Sequence, residues 1–191
     1  REGHIEAFAD WLTAPENPLF ARVAVNRLWQ WHFGVGLHRQ ASDFGKQAGK
    51  PTHPKLLDWL AAEFVKSGYR MKSMHRLMVT SDAYKRASDA GSEFAKSQQI
   101  DPHNDTLWRF PLQRLEAEPI WDAIHTAAGN LDLEVGGRSF YSRDDDEKQR
   151  RGIYIKRGFS QSRDVTPNFL QTFDVDDGRV PCPLRTQTVT A

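Results

Sequence analysis

Asn17-Pro18-Leu19-Phe20-Ala21-Arg22-Val23-Ala24-Val25-Asn26-Arg27-Leu28-Trp29-Gln30-Trp31-His32-Phe33 is the stretch whose periodicity decides the fold. Asn17 before Pro18 is a helix start signal. A side-chain amide oxygen accepts from the free amides of the first turn, and proline suits the first helical position. From Leu19 onward most of the helical circumference is apolar. Phe20, Ala24, Leu28 and Trp31 share one face, with Ala21, Val25 and Trp29 beside them. A narrow polar stripe, Arg22, Asn26 and Gln30, follows i, i+4, i+8, and Arg27 stands to one side. A helix apolar nearly all round belongs in a core, so this segment is predicted to be the central and most buried helix.

Outward from it, the rest of the first two thirds reads as helix. Ile5 to Leu12 suits a short helix that Pro15 and Pro18 break. Gly34-Val35-Gly36 closes the central helix, and a polar loop runs to Pro51-Thr52-His53-Pro54. Leu57, Leu60, Ala61 and Phe64 repeat at helical spacing over Lys55 to Ser67, with Gly68 as the stop signal. Met74, Leu77 and Met78 continue the pattern over about Lys72 to Arg86, so the two segments form an αα-hairpin. A short helix fits before Asp101-Pro102, and another covers Arg114 to Ala128 with Pro119 in its first turn or at a kink. Beyond Gly129, Gly136-Gly137 and Asp144-Asp145-Asp146-Glu147 read as turns and a solvated loop. Arg151 to Lys156 alternates like a strand, and Asn168 to Phe173 suits a helical turn. The expected fold is mainly α: a helical core with an αα-hairpin and a small irregular or β C-terminal part, in one domain over residues 1–191.

Composition bounds the function classes. The 191 residues carry 26 Lys+Arg against 25 Asp+Glu, a net charge of +1, which argues against a binder held to nucleic acid mainly by charge. The run Lys148-Gln149-Arg150-Arg151 follows directly on four acids, as a solvated loop does. In the hairpin, the apolar face of Met74, Leu77 and Met78 is core material, not a groove-reading surface. No apolar run reaches membrane-spanning length. A single cysteine, Cys182, excludes an internal disulfide and a multi-cysteine metal site, and Cys-x-x-Cys-His is absent. Gly34-x-Gly36 lacks the rest of a dinucleotide fingerprint, and there is no phosphate loop, His-Glu-x-x-His or Gly-x-Ser-x-Gly.

What chemistry remains lies in histidines and arginines. His32, His38, His53 and His75 fall within a short span, but no pair stands at i, i+4 on one expected helix. They read as structural, and no metal is expected. Thr52 or His53 is placed to cap the helix that follows. Arg22, Asn26 and Arg27 on an apolar helix need partners, and Asp43, Asp58, Glu116, Glu118 and Asp122 are candidates. The alternative is a guanidinium-lined anion site, since the planar fork takes carboxylate or phosphate in bidentate fashion. Trp29, Trp31, Trp59, Trp108 and Trp121 suggest aromatic packing, or else a contact surface for carbohydrate or a haem edge.

Several segments together resemble the planctomycete PSD-one family, a C-terminal domain of unknown function in large secreted proteins. They are Asn17 to Val23, Val25-Asn26-Arg27-Leu28-Trp29, Phe33-Gly34-Val35-Gly36-Leu37, Asp43-Phe44-Gly45, Pro51 to Ala61 and Lys72 to Met78. Asp101-Pro102-His103-Asn104, Trp108-Arg109, Arg114 to Glu118, Arg151-Gly152-Ile153-Tyr154, Phe173-Asp174, Cys182 and Arg185 follow in order. Thr52 stands where that family usually has Ser. Pro119-Ile120-Trp121-Asp122 stands where an Arg usually precedes the Asp. The resemblance implies export, and neighbouring cytochrome c-type and planctomycete-specific domains on the same polypeptide, with haem c on those neighbours and no cofactor on this chain. It also implies that family members continue beyond Ala191, and that an exported Cys182 is free or paired outside this stretch.

The functional expectation is a non-catalytic structural or interaction module. The alternative is a hydrolytic or redox enzyme acting on an extracellular substrate such as a polysaccharide, with a polar site built from Arg22, Asn26, Arg27, His53, Asp58, His75 and Arg76.

Overall fold

The computed structural model describes residues 2–14, 16–89, 91, 94–140, 149–156, 169 and 172. Among these residues lie six helices: α1 (Glu2–Thr13), α2 (Pro18–Phe33), α3 (Pro54–Lys66), α4 (Met71–Val79), α5 (Phe94–Ile100) and α6 (Ala117–Ala128). Two short strands follow, β1 (Leu131–Asp132) and β2 (Gln149–Arg150), paired in parallel with Leu131 opposite Gln149. Among the described residues the fold is mainly α, with the two short strands and a 3₁₀ turn as the other regular elements. The chain divides into two compact units, Arg1–Gln113 and Arg114–Ala191, each with its own core. None of the described helices is long and apolar enough to cross a membrane.

In the first unit, α2 starts as its sequence dictates. Asn17 Oδ1 accepts from the amides of Leu19 at 3.0 Å and Phe20 at 3.4 Å, and Pro18 occupies the first turn. Ala21, Val25, Leu28, Trp29 and Phe33 pack against Leu57, Leu60, Ala61 and Phe64 of α3 and Met74 and Met78 of α4. Trp29 stacks on Phe33 with ring centroids 4.1 Å apart. The buried face is thus displaced from the expected one. Trp31 is 58% exposed and Leu19 is exposed too. An apolar circumference marks a helix able to be buried all round, but α3 and α4 cover only part of it.

Asn26 has the protein partner that its place on an apolar helix requires, and that partner is backbone. Fully buried, it donates from Nδ2 to the carbonyl of His38 at 3.0 Å, and Oδ1 accepts from the His38 amide at 2.8 Å. The carboxamide stands in for a neighbouring strand and satisfies both polar groups of His38. The intervening turn must then pass very close to it. A Cβ at Gly36 would lie 2.6 Å from Asn26 Nδ2 and 2.7 Å from the His38 carbonyl oxygen. Leu37, next in line, is buried in the core, and its carbonyl accepts from the Thr52 amide at 2.8 Å. This bond fixes the approach to α3.

The α3–α4 hairpin forms as the apolar spacing requires. Gly68 takes φ +68°, and the Tyr69 amide donates to the Phe64 carbonyl at 2.9 Å, closing α3 with a left-handed stop. Helix α4 ends at Val79, short of the expected Arg86. Thr80 and Ser81 turn their hydroxyls onto the carbonyls of Arg76 and Met78, and Ser81 Oγ accepts from the Tyr84 amide. Local hydroxyl bonding of this kind competes with the helix ladder.

In the second unit, Pro119 lies in the first turn of α6, where its missing N–H costs nothing. Ala117, Trp121 and Ile155 form the core, with Phe140 and Phe169 against it. The strand expected over Arg151 to Lys156 is replaced by a 3₁₀ turn at Gly152–Tyr154. Asp122 accepts from the Gly152 amide at 2.6 Å and from Arg151 Nε at 2.9 Å, pulling the backbone onto α6. A Cβ at Gly152 would lie 2.7 Å from the Glu118 carbonyl oxygen. Of the helical turn expected over Asn168 to Phe173, Phe169 and Thr172 are helical. The remainder of that turn lies outside the described residues, as do Asp144 to Glu147, Lys148 and Cys182.

Leu28→Ala, a truncation at the centre of the first core, is expected to lower the unfolding free energy by about 2–5 kcal/mol in chemical denaturation. Asn26→Ala strands the amide and carbonyl of His38, at about 1–3 kcal/mol for each group left unpaired. An Asn26→Ala variant within half a kcal/mol of the parent would show that the turn does not depend on this clamp.

Candidate binding site

A cavity of about 340 Å³ opens in the first unit, walled by three stretches of chain. The turn leaving α2 supplies Val35 to Leu37 and Arg39, the approach to α3 supplies Thr52 and His53, and the loop after α5 supplies Pro102 to Asp105, Leu107, Arg109, Pro111 and Leu112. Trp29 and Phe33 close its inner side. Each wall has a physical cause: the Asn26 clamp sets the first, and the Leu37–Thr52 bond sets the second.

The third wall is held by its own side chains. Asp101 accepts from the amides of Asp105 at 2.9 Å and Thr106 at 2.8 Å and from the Thr106 hydroxyl at 2.7 Å. Those bonds, the Thr106 amide foremost, hold the Asp101 carboxyl below the usual carboxylate range. Asn104 then clamps Arg109: Oδ1 accepts from its amide at 3.2 Å and Nδ2 donates to its carbonyl at 3.0 Å. Between them the chain turns so tightly that Asn104 and Leu107 both take positive φ, +55° and +54°. For Leu this is a strained conformation. Trp108 donates from Nε1 to the Asp101 carbonyl at 2.9 Å, and the Arg109 guanidinium lies 5.2 Å from its ring centroid. Across the cavity mouth Arg39 is paired with Asp105.

The seven residues expected to form a polar site do not converge. Arg22 pairs through Nε with Asp58 at 2.8 Å, in an ion pair open to solvent. Asn26 is the buried clamp. Arg27, expected to be buried against a carboxylate, is exposed, because it sits on the side of α2 that α3 and α4 leave open. Arg76 is exposed on α4. Asp122, a candidate partner for the α2 arginines, holds Arg151. His53 alone of the seven lines the cavity. It begins α3 without a side-chain capping bond; its Nδ1 lies 3.1 Å from Thr52 Oγ1, and the Thr52 hydroxyl turns to the Leu37 carbonyl. Neither side chain caps the helix.

His75 meets a residue absent from that set. His32 Nε2 and His75 Nδ1 are 2.8 Å apart, so one ring donates and the other accepts. The Tyr84 ring stands edge-on to His32. Burial, and then the charge of His75, hold His32 below the ordinary imidazole range. His38 is committed to Phe44, on which it stacks with ring centroids 4.5 Å apart. Among the described residues no group of three or more His, Cys, Asp or Glu side chains is placed to hold a metal ion. Arg150 is tied to the carbonyls of Arg138, Glu134 and Gly136 and lies over Tyr154.

Arg39, His103, Asp105 and Arg109 are not among the site candidates read from the sequence, although His103 and Arg109 stand in segments that carry the family resemblance. A signal existed in Asp101-Pro102-His103-Asn104, because Asp and Asn beside Pro bond their own backbone and build rigid turns. Nothing in local spacing, however, shows that this turn faces the end of α2.

The described residues form a mainly helical chain with a loop-built recess in its first unit. The family described as PSD1, protein of unknown function (DUF1553), has a model matching residues 6–191, and the chain belongs to that family. No curated protein and no solved structure gives a match.

Two measurements check this geometry. Arg27→Ala is expected to change stability by no more than about 0.5 kcal/mol, as for other exposed side chains. His32 holds fewer protons when folded than when unfolded, so its contribution to stability is complete above about pH 6.5 and is lost as pH falls below that. The melting temperature of the parent should therefore exceed that of His32→Gln by more at pH 8 than at pH 5. A gap that stays constant or widens on acidification contradicts this assignment.

Proposed function

We propose that the chain is a non-catalytic interaction module of a larger exported planctomycete protein. In this reading it docks against neighbouring domains of the same polypeptide, cytochrome c-type domains among them, which carry haem c while this chain carries no cofactor of its own. The observation that carries the reading is α1. Ile5, Phe8 and Trp11 are 71%, 60% and 59% exposed, and at spacings of three they line one side of the helix. A 12-residue helix is marginal in water on its own, and large apolar side chains grouped on a surface mark an interaction site. Trp31 on α2 and Trp59 on α3 are also exposed, adding aromatic area of the type enriched at interfaces. The enzyme alternative has less support: of the seven polar residues it requires, Arg22 and Asp58 pair with each other, Asn26 is committed to the backbone of His38, and His53 alone lines the cavity.

The test mixes the chain with the cytochrome c-type domain of its own polypeptide and follows association by sedimentation velocity. The parent should form a complex. Phe8→Ser/Trp11→Ser, with unchanged far-ultraviolet circular dichroism, should bind at least tenfold more weakly. Absence of a parent complex, or equal binding by the variant, would overturn the proposal.

A further inference from the structure

The charge inventory of the cavity is unbalanced in a specific way. Arg39 and Arg109 face one carboxylate, Asp105, and that carboxylate is already paired with Arg39. Arg109 is left over. Half-buried, its guanidinium has no carboxylate or carbonyl partner among the described residues; Nε is buried without a hydrogen bond, and the group lies over the Trp108 ring. A guanidinium withdrawn from water without an anion is costly, and its surroundings keep it there. Asn104 grips its backbone on both sides, and Asp101 braces the turn that carries Asn104. Pre-organisation of this kind lowers the ordering cost of binding.

We propose that this cavity binds a small organic carboxylate, with its anionic group on Arg109 and Arg39 and an apolar body against Leu107 and Leu112. The chemistry follows from what lines the recess. A planar guanidinium fork matches a carboxylate in bidentate fashion. Two arginines less one aspartate leave a single formal positive charge, which a monoanion balances and a phosphate dianion exceeds. His53 and His103 add ring nitrogens able to donate to carboxylate oxygen. The rim at Val35 and Leu112 is apolar and exposed, which suits a hydrocarbon or ring portion better than a bare inorganic ion. The volume of about 340 Å³ lies at the lower end of small-molecule sites. The site is separate from α1 and stands or falls independently of the docking reading.

Sodium benzoate and inorganic phosphate serve as the two probes, titrated at equal ionic strength into ¹⁵N-labelled protein. Benzoate should shift the amide resonances of Val35 to Arg39, His53 and His103 to Leu112 saturably, and should bind at least tenfold more tightly than phosphate. Arg109→Gln should weaken benzoate binding at least tenfold. Arg39→Gln, at an exposed pair where the fold is not at risk, should do likewise, since it leaves Asp105 to repel the anion. Arg109→Lys, which keeps the charge but loses the fork, should fall between parent and Arg109→Gln. Benzoate shifts that miss these residues, tighter binding of phosphate, or parent-like affinity in both glutamine variants would each overturn the proposal.

Discussion

The carboxamide of Asn26, sealed inside the first unit, holds both the amide and the carbonyl of His38, and much of the surrounding geometry is a consequence. A helix end normally leaves carbonyls unsatisfied and a chain free to leave in several directions. Here the exit from α2 is dictated by two hydrogen bonds made twelve residues back. They draw the turn through Gly36 and bury Leu37, whose carbonyl then receives the Thr52 amide. Two walls of the cavity are thereby set before any ligand is considered. The polar stripe of α2 is architectural at Asn26 and ion-paired to Asp58 at Arg22, and the Gln30 Oε1 atom has no hydrogen-bond partner among the described residues.

The same device recurs in described segments that lack regular structure. Asn104 grips Arg109, Asp101 grips Asp105 and Thr106, and Asp122 grips Arg151 and Gly152. Side chains of Asp and Asn replace the backbone ladders that helices and sheets supply. Among the described residues these clamps shape irregular segments in both units. A loop rigid enough to hold Leu107 at positive φ is also rigid enough to hold a guanidinium beside a cavity.

What the sequence disclosed follows the range of the interactions involved. Caps, stops and helix faces are local, so the Asn17 start, the Gly68 stop and the α3–α4 hairpin were readable from spacing. Burial of one side of α2 over another depends on where α3 and α4 come to rest, and the expectation of a buried Trp31 and Arg27 failed for that reason. The candidate site suffered most. Arg39, His53 and Arg109 lie far apart in sequence and meet through the Asn26 and Asn104 clamps, which are contacts between a side chain and a distant or turning backbone. The alternation of Arg151 to Lys156 was real, but Asp122 and the space available at Gly152 outweighed it.

The fit of Gly36 against Asn26 has a consequence for drift. Any side chain at position 36 collides with the carboxamide, and shortening position 26 to make room abandons both polar groups of His38. Neither step alone is neutral, and taking both does not restore what was lost. The pair is a ratchet: a change at an exposed position of α2 such as Arg27 leaves it undisturbed, yet there is no short path to a different exit from that helix.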